Sequence, residues 1–191
     1  MRFREFIEAT VTADMPIQQR LAAGWSAEKK VIDAFNRMIG PTTTSSEYAD
    51  KGDSKIDAIV DVKGKSYLMQ IKSRESGDDI LVEWYRDYPT VIGRDQKTRA
   101  DWYAVLSSNG TQIMVVDTQE VKEACKRMVD VWEKSNHQQT QFPEGEISLQ
   151  ASRDRPGAYK LIVFLNKKQF RMKVPKGFPL PVSIINIMKQ P

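Results

Sequence analysis

Two runs of alternating apolar and polar residues flank Lys63, Gly64 and Lys65, and they constrain the fold more than any other segment of the chain. Alternation with a period of two is typical of half-buried strands, and a glycine between two such runs is typical of a tight turn. The segment therefore predicts a β-hairpin with strands over residues 56–62 and 65–72.

The length of the turn decides which side chains meet across this hairpin. A two-residue loop at positions 63 and 64 sets Asp57 directly opposite Gln70, and a four-residue loop keeps that register. A three-residue loop would shift the pairing by one residue and mix the two faces, which a half-buried sheet resists. Directly opposed residues have Cβ atoms about 4.5–5.5 Å apart, and Lys72 projects from the same face. The register thus predicts a cluster of an acid, an amide and a lysine.

The neighbours of this cluster leave two interpretations open. Ile59 and Leu68 lie on the same face as the polar residues, so we expect that face to be covered. Covered polar groups need partners or a functional role, which makes the cluster a candidate site. The alternative is an amphipathic hairpin whose polar edge is solvated.

The hairpin resembles the motif of the PD-(D/E)XK nuclease superfamily, in which an Asp is followed, after a variable gap, by (Asp/Glu)-x-Lys on the adjacent strand. Here Asp57 is followed after twelve residues by Gln70-Ile71-Lys72, a gap similar to that of archaeal Holliday-junction resolvases. The lead-in Gly52-Asp53-Ser54-Lys55-Ile56-Asp57 looks like that of the restriction branch whose motif is written D…QxK. The glutamine is therefore a variant that the superfamily contains, although an amide oxygen is a weaker ligand for a hard cation than a carboxylate.

The segment before the hairpin predicts a helix over residues 24–40, with Ser26 as its N-cap and Glu28 in its first turn. Glu28 shares the inward, apolar face of that helix. It is either a first-turn acid that complements the helix dipole or, as the resemblance implies, an acid that reaches the site.

The segments after the hairpin extend the resemblance, which covers residues 24–132 in all. Residues 80–85 predict a third strand. Residues 93–106 then resemble the Gly-x-x-x-Thr-x-Ala-Asp-aromatic stretch of small phage-type members. A further strand over 112–116 precedes a capping box at Asp117 and an amphipathic helix. The apolar stripe of that helix consists of Val121, Ala124, Cys125, Met128 and Trp132.

The resemblance assigns a role to each residue of the cluster. It implies a Mg²⁺ ion, with Mn²⁺ as a substitute, held by Asp57, the Gln70 side-chain oxygen and the Ile71 carbonyl. It implies Glu28 as a further ligand through water. Lys72 would orient or deprotonate the attacking water, or stabilise the charge that develops on the phosphoryl group.

Further candidate residues lie in the segments that follow the hairpin. Glu83, in the third predicted strand, is a further acidic candidate. A basic segment beside the site is where DNA would lie, so we expect Arg94, Lys97, Thr98 and Arg99 to contact phosphates.

The C-terminal part of the chain is strongly basic. Residues 155–191 contain eight basic residues and no acidic one, whereas the rest has 21 basic and 25 acidic residues. Net charges of +8 and −4 indicate a polyanionic partner. We expect a loop over 135–157, then a hairpin of residues 159–165 and 169–174 that follows phosphates. Its outward basic residues are Lys167, Lys168, Arg171 and Lys173. The alternative is an edge strand that lysines protect from further pairing.

The composition favours one globular domain spanning residues 1–191. The chain has 191 residues, 40% of them hydrophobic, enough for a sizeable core. Its single cysteine, Cys125, excludes an internal disulfide and a cysteine zinc site. No apolar run approaches the roughly 20 residues that span a bilayer, so we expect a soluble, cytoplasmic protein with no membrane partner. The phage-type likeness adds a phage-encoded origin, with action in a host cell.

The order of elements and the resemblance together predict an α/β fold. We expect a restriction-endonuclease-like core, with a mixed central β-sheet flanked by helices, and an added C-terminal basic β-hairpin. The expected function is a Mg²⁺-dependent DNA endonuclease, structure-directed or weakly sequence-specific. Many members of the superfamily are dimers, so a homodimer is a further expectation. One alternative is a nucleic-acid-binding protein in which Gln70 marks a decayed site. Another is a protein–protein adaptor that docks through residues 182–188.

Overall fold

The structure is a computed structural model that describes residues 17–44, 56–73, 79–152, 155–170, 175–180 and 184–187. Its helices are α1 (Ile17–Met38), α2 (Arg94–Lys97), α3 (Thr118–Lys134) and α4 (Lys167–Phe170). Its strands are β1 (Thr42–Thr44), β2 (Ala58–Val62), β3 (Lys65–Ser73), β4 (Asp79–Asp87), β5 (Val91–Ile92), β6 (Trp102–Leu106), β7 (Gln112–Asp117), β8 (Gln141–Phe142), β9 (Gly145–Ala151), β10 (Tyr159–Asn166) and β11 (Ile184–Asn186).

The first sheet contains six strands in the order β1-β2-β3-β6-β7-β11. Its central pair, β3 and β6, runs parallel, whereas its other neighbouring pairs are antiparallel. A parallel pair needs a crossover connection, and here the crossover contains β4, β5 and α2. The sheet is therefore mixed, and the fold is mixed α/β.

The second sheet contains five antiparallel strands in the order β5-β4-β10-β9-β8. The predicted third strand is present as β4, but the expectation of a single sheet is wrong. β4 pairs with β5 and β10 instead of joining β3. The crossover between β3 and β6 thus brings the second sheet and α2 against the first.

Two predictions for the C-terminal half are wrong. Residues 135–157 are not a loop throughout, because β8 and β9 lie within them and β9 pairs with β10 along its whole length. The basic hairpin is not formed as predicted, because β10 leads into α4 and pairs with β9 and β4. Residues 171–174, the rest of the predicted second strand, lie outside the described residues.

Two apolar clusters lie on opposite faces of the first sheet, because successive side chains of a strand point to opposite faces. One cluster packs α1 against this sheet and includes Val31, Phe35 and Met69. The other joins the first sheet, the second sheet and α3. The predicted apolar stripe of α3 lies wholly within this second cluster, as expected.

The first helix is longer than its sequence pattern predicts. α1 begins at Ile17, so Ser26 lies inside the helix and is not its N-cap. Glu28 follows Ile17 by about three helical turns at 3.6 residues a turn. A helix dipole acts on charges within the first turn, so the interpretation of Glu28 as a dipole-complementing acid is wrong.

The last described strand bears on two expectations. β11 pairs with β7 at one edge of the first sheet. Part of the segment that the adaptor alternative requires for docking is therefore engaged within the chain's own sheet. Among the described residues, no helix is both long enough and apolar enough to cross a membrane.

Candidate active site

The β2–β3 hairpin has the two-residue turn that the alternating pattern favours. Lys63 and Gly64 have φ angles of 51° and 79°, and positive φ at both central positions is typical of the type I′ turn that matches strand twist. Val62 pairs with Lys65 and Ile59 pairs with Leu68. The predicted register is therefore confirmed over the ladder itself.

Asp57 lies just beyond the end of that ladder, which stops where Ala58 pairs with Met69. Its backbone N–H donates to the Met69 carbonyl at 2.9 Å. Its carboxylate oxygen Oδ2 accepts from the Ile71 N–H at 2.7 Å. The carboxylate of Asp57 thus accepts the hydrogen bond that a strand carbonyl would otherwise accept. Asp57 contacts the backbone of β3 on both sides of Gln70, and it is not paired with Gln70 in the ladder.

The Ile71 backbone presents its carbonyl towards the same edge of β3. In a strand the N–H and C=O of one residue point the same way, because paired residues of a ladder exchange both bonds. The Ile71 N–H points to Asp57, and the β2 ladder has ended at Ala58. The Ile71 carbonyl therefore lies on the side of the Asp57 carboxylate.

Gln70 is buried, with 4% of its surface exposed. Its Nε2 donates to Asp95 Oδ1 at 3.1 Å. Its Oε1 is buried and has no hydrogen-bond partner among the described residues. Buried polar atoms are rarely left unpaired, so this oxygen has an unsatisfied capacity to accept a donor or a cation.

Asp95 is the centre of the polar network, and the Asp57…Gln70-Ile71-Lys72 motif does not include it. Its side chain is fully buried. Oδ1 accepts from Gln70 Nε2, from Lys72 Nζ at 2.5 Å and from the Tyr103 hydroxyl at 3.4 Å. Oδ2 accepts from the Glu83 backbone N–H at 2.7 Å. One signal was available: Asp95 is the only acid in the basic segment 94–99.

Gly93 allows Asp95 to reach this position. Its N–H donates to the Trp84 carbonyl at 2.9 Å. A Cβ at position 93 would lie 2.0 Å from the Glu83 carbonyl oxygen, far inside contact distance. Only glycine lets the chain run this close to β4, which brings Asp95 onto the Glu83 N–H.

Lys72 points into the network rather than into solvent, and 12% of its side chain is exposed. Burial lowers the pKa of this ammonium, and the Asp95 carboxylate opposes that shift. The Arg94 guanidinium lowers the Lys72 pKa further. Asp95 thus holds the lysine in one position. Burial at that position makes the lysine easier to deprotonate.

Glu28 and Asp57 lie close enough to influence each other. Burial raises the pKa of Glu28, and the negative charge of Asp57 raises it further. Burial also raises the pKa of Asp57, against the Ile71 N–H and the charges of Lys72 and Arg94. Because burial raises the pKa of both carboxylates, a cation held near them would favour their ionised forms.

The donor set fits a hard divalent cation. Asp57 and Glu28 supply carboxylates, Gln70 supplies its unpaired amide oxygen and Ile71 supplies a carbonyl, all of them oxygen ligands of the kind that Mg²⁺ prefers. Within the described part of the chain, no group of three or more His, Cys, Asp or Glu residues could hold a metal ion. The candidate set therefore depends on its amide and backbone oxygens.

The predicted phosphate contacts divide into exposed and buried residues. Arg94, Lys97 and Arg99 are exposed, and Arg94 lies beside the site. Thr98 is 3% exposed, and its hydroxyl accepts from the Ala100 N–H at 3.2 Å. Thr98 thus differs from the three exposed residues, but it lines a cavity together with Arg99, and its contact with a phosphate stays a prediction.

The C-terminal basic residues divide in the same way. Lys167 is 5% exposed and lines, with Lys72 and Arg94, a cavity of about 110 Å³. It is thus a buried neighbour of the site and not the outward residue that the sequence predicts. Lys168 is exposed, whereas Arg171 and Lys173 lie outside the described residues.

A larger cavity of about 410 Å³ lies where β3, β6 and α3 begin. Its basic lining residues are Lys65, Arg99, Lys122 and Lys176. Lys122 donates to the Thr98 carbonyl at 2.6 Å. The segment 94–99 therefore runs from the Lys72 side of the molecule to this second basic surface.

Comparisons with protein-family models, curated proteins and solved structures gave no match for this chain. The function is therefore inferred from the residues themselves and from their arrangement.

Proposed function

We propose that the protein is a metal-dependent phosphodiesterase that cuts DNA, built on a restriction-endonuclease-like core. The observation that carries this proposal is the unpaired, buried Oε1 of Gln70. It belongs to the strand segment that also carries the Ile71 carbonyl and Lys72, and Asp57 is hydrogen-bonded to that segment. A buried amide oxygen without a donor has the capacity to bind a cation, and an amphipathic strand with a solvated polar edge would not bury such an oxygen.

Asp57, Gln70, the Ile71 carbonyl and Glu28 are the residues that would hold Mg²⁺ or Mn²⁺. The ion, when bound, would neutralise charge on the phosphoryl oxygens and lower the pKa of a water. The Ile71 N–H fixes the orientation of the Asp57 carboxylate. The Asp95 hydrogen bond fixes that of the Gln70 amide.

Lys72 would act on the attacking water or on the reacting phosphate. Burial lowers the pKa of Lys72 below its usual value, which makes proton exchange with water easier than for an exposed lysine. While protonated, it would offset negative charge that builds on the phosphate. Its ion pair with Asp95 restricts the ammonium to one position, as a group that must meet a reacting atom requires.

DNA is the proposed substrate because exposed basic residues lie on the segment next to the site. Arg94, Lys97 and Arg99 occupy this segment, and residues 155–191 add a basic excess. Contacts of this kind are made to phosphates and carry no sequence information. We therefore propose structure-directed or weakly sequence-specific cutting. The homodimer is a further proposal that rests on the resemblance alone.

The experiment incubates supercoiled plasmid, single-stranded DNA and a branched junction with the purified protein in Mg²⁺, Mn²⁺ or EDTA. Asp57→Asn and Lys72→Met test the site. Asp61→Asn is the matched control, because Asp61 lies on the same hairpin but is exposed and bonded to Ser66. We expect metal-dependent cleavage that both site variants lose and the control keeps.

Each contrary result has a definite meaning. Binding of DNA without cleavage by the unmodified protein would overturn the nuclease proposal and favour a nucleic-acid-binding protein. Equal cleavage in EDTA would overturn the role of the metal. Absence of both binding and cleavage at low salt would favour a protein-binding role.

A further inference from the structure

We infer that Asp95 is a positioning residue, and that its carboxylate requires an amide rather than a carboxylate at position 70. The part of this inference that concerns metal binding and cleavage rests on the proposed function. The structural coupling between Asp95 and Gln70 can be tested without it. Gln70 is then a required partner of Asp95 and not the remnant of a lost acid.

The chemistry of Asp95 restricts what can lie against it. Its carboxylate is buried and accepts from four donors, which come from β3, β4 and β6. An ionised carboxylate has no hydrogen to donate. Whatever side chain lies against it must therefore offer an N–H or an O–H.

The orientation of the Gln70 amide follows from this restriction. Its NH₂ group lies 3.1 Å from Asp95 Oδ1, so its oxygen must point away from Asp95. That oxygen is the atom without a partner. Asp95 thus selects the amide orientation that leaves an acceptor free for a cation.

A carboxylate at position 70 would meet Asp95 unfavourably. Glutamate would replace Nε2 with a second oxygen, 3.1 Å from Asp95 Oδ1 if the side chain kept its place. Two buried like charges at that separation repel strongly, and both side chains are removed from bulk solvent. The glutamate would have to leave the position that the amide oxygen occupies.

Asp95 also positions two functional side chains with one oxygen. Oδ1 accepts from both Gln70 Nε2 and Lys72 Nζ. These residues are two apart on one face of β3. A change at position 95 is therefore expected to disturb the candidate ligand and the candidate proton-transfer group together.

The test is a double-mutant cycle with Gln70→Glu, Asp95→Asn and the double variant, first on the metal-free protein. We expect Gln70→Glu to lower stability. Asp95→Asn should remove most of that loss, because the introduced amide can donate to the introduced carboxylate. The expected coupling is at least about fivefold in the unfolding equilibrium constant. Gln138→Glu, at an exposed glutamine, controls for added charge.

The second readout is binding of Mn²⁺, measured by titration calorimetry, beside single-turnover cleavage. We expect Gln70→Glu to weaken Mn²⁺ binding and to slow cleavage at least about tenfold, although a carboxylate is the better ligand for a hard cation. The double variant should recover part of both. Recovery of Mn²⁺ binding by the second substitution would show that positions 70 and 95 are coupled, whereas independent losses would add.

Two results would overturn the inference. One is a Gln70→Glu protein that is as stable as the unmodified protein and binds Mn²⁺ at least as tightly. The other is additive behaviour in the metal-free cycle. If the unmodified protein cleaves no DNA, the proposed function fails, but the metal-free cycle still decides whether Asp95 controls position 70.

Discussion

Lys72 and Asp95 form a buried ion pair that joins the two sheets of the protein. Lys72 Nζ lies 2.5 Å from Asp95 Oδ1, and 12% and 0% of the two side chains are exposed. Lys72 comes from the first sheet, whereas Asp95 also accepts from the backbone of β4 in the second sheet. The candidate site is therefore built at the junction of the sheets, and its integrity depends on their packing.

The first prediction is that Asp95→Ala strongly destabilises the protein. Removal of one partner from a buried ion pair leaves an uncompensated charge, which costs about 3–5 kcal/mol. The Gln70 amide and the Glu83 N–H would also lose their acceptor. We expect a loss of this size in urea-induced unfolding followed by circular dichroism.

Asp130→Ala provides the comparison for this prediction. Asp130 pairs with Lys126 at 2.6 Å, but 45% and 69% of their side chains are exposed. Exposed pairs contribute at most about 1 kcal/mol. Similar losses for the two variants would show that the Lys72–Asp95 pair is not buried as described.

The second prediction concerns Gly93, which permits the approach of α2 to β4. Gly93→Ala would place a methyl group 2.0 Å from the Glu83 carbonyl oxygen, so the backbone must move. We expect a loss of about 2 kcal/mol or more in the free energy of unfolding, with loss of DNA cleavage. The free energy of unfolding and the cleavage rate can be measured on one preparation of the variant.

Gly157→Ala separates this steric effect from backbone strain. Gly157 has a φ of 83° and no atom within 4 Å of its added Cβ. Its substitution should cost about 1–2 kcal/mol through the left-handed conformation alone, and cleavage should be retained. Intact cleavage by Gly93→Ala would contradict the role given to Gly93.

Local patterns predicted the hairpin and α3 because each element's own side chains carry the information. The period of two and the Lys63–Gly64 turn set the register of β2 and β3. The apolar stripe defined α3. These features need no knowledge of distant residues.

Asp95 and the second sheet could not be predicted because they depend on contacts between distant segments. Asp95 is 25 residues from Gln70 and 12 from Glu83 along the chain, and only the crossover brings them together. β9 has a weak alternating pattern in a polar segment, with Ile147 buried and Leu149 exposed. Its pairing with β10 is therefore decided by β10, in which four of the eight residues are buried.

The third prediction is that the Cys125 thiol resists modification in the folded protein. Cys125 is buried in the α3 core, and burial raises the pKa of its thiol well above the usual range. The thiolate is the reactive form, so Ellman's reagent should label less than a tenth of the thiol before unfolding. Full labelling in urea is the control, and rapid labelling without denaturant would contradict the packing of α3.

The last prediction separates binding from chemistry among the basic residues. Arg99 is exposed at the larger cavity, so Arg99→Gln should weaken DNA binding regardless of sequence. It should also lower the slope of log K against log salt by about 0.9.

Arg94 lies beside Lys72, so Arg94→Gln should slow single-turnover cleavage by more than it weakens binding. Thr98→Val should leave the salt slope unchanged, because a neutral hydroxyl releases no counterion from the phosphates. DNA binding is measured by fluorescence anisotropy over a salt series, and the cleavage rate is measured by single-turnover kinetics. A reduced salt slope for Thr98→Val with none for Arg99→Gln would show that DNA takes another path across the molecule.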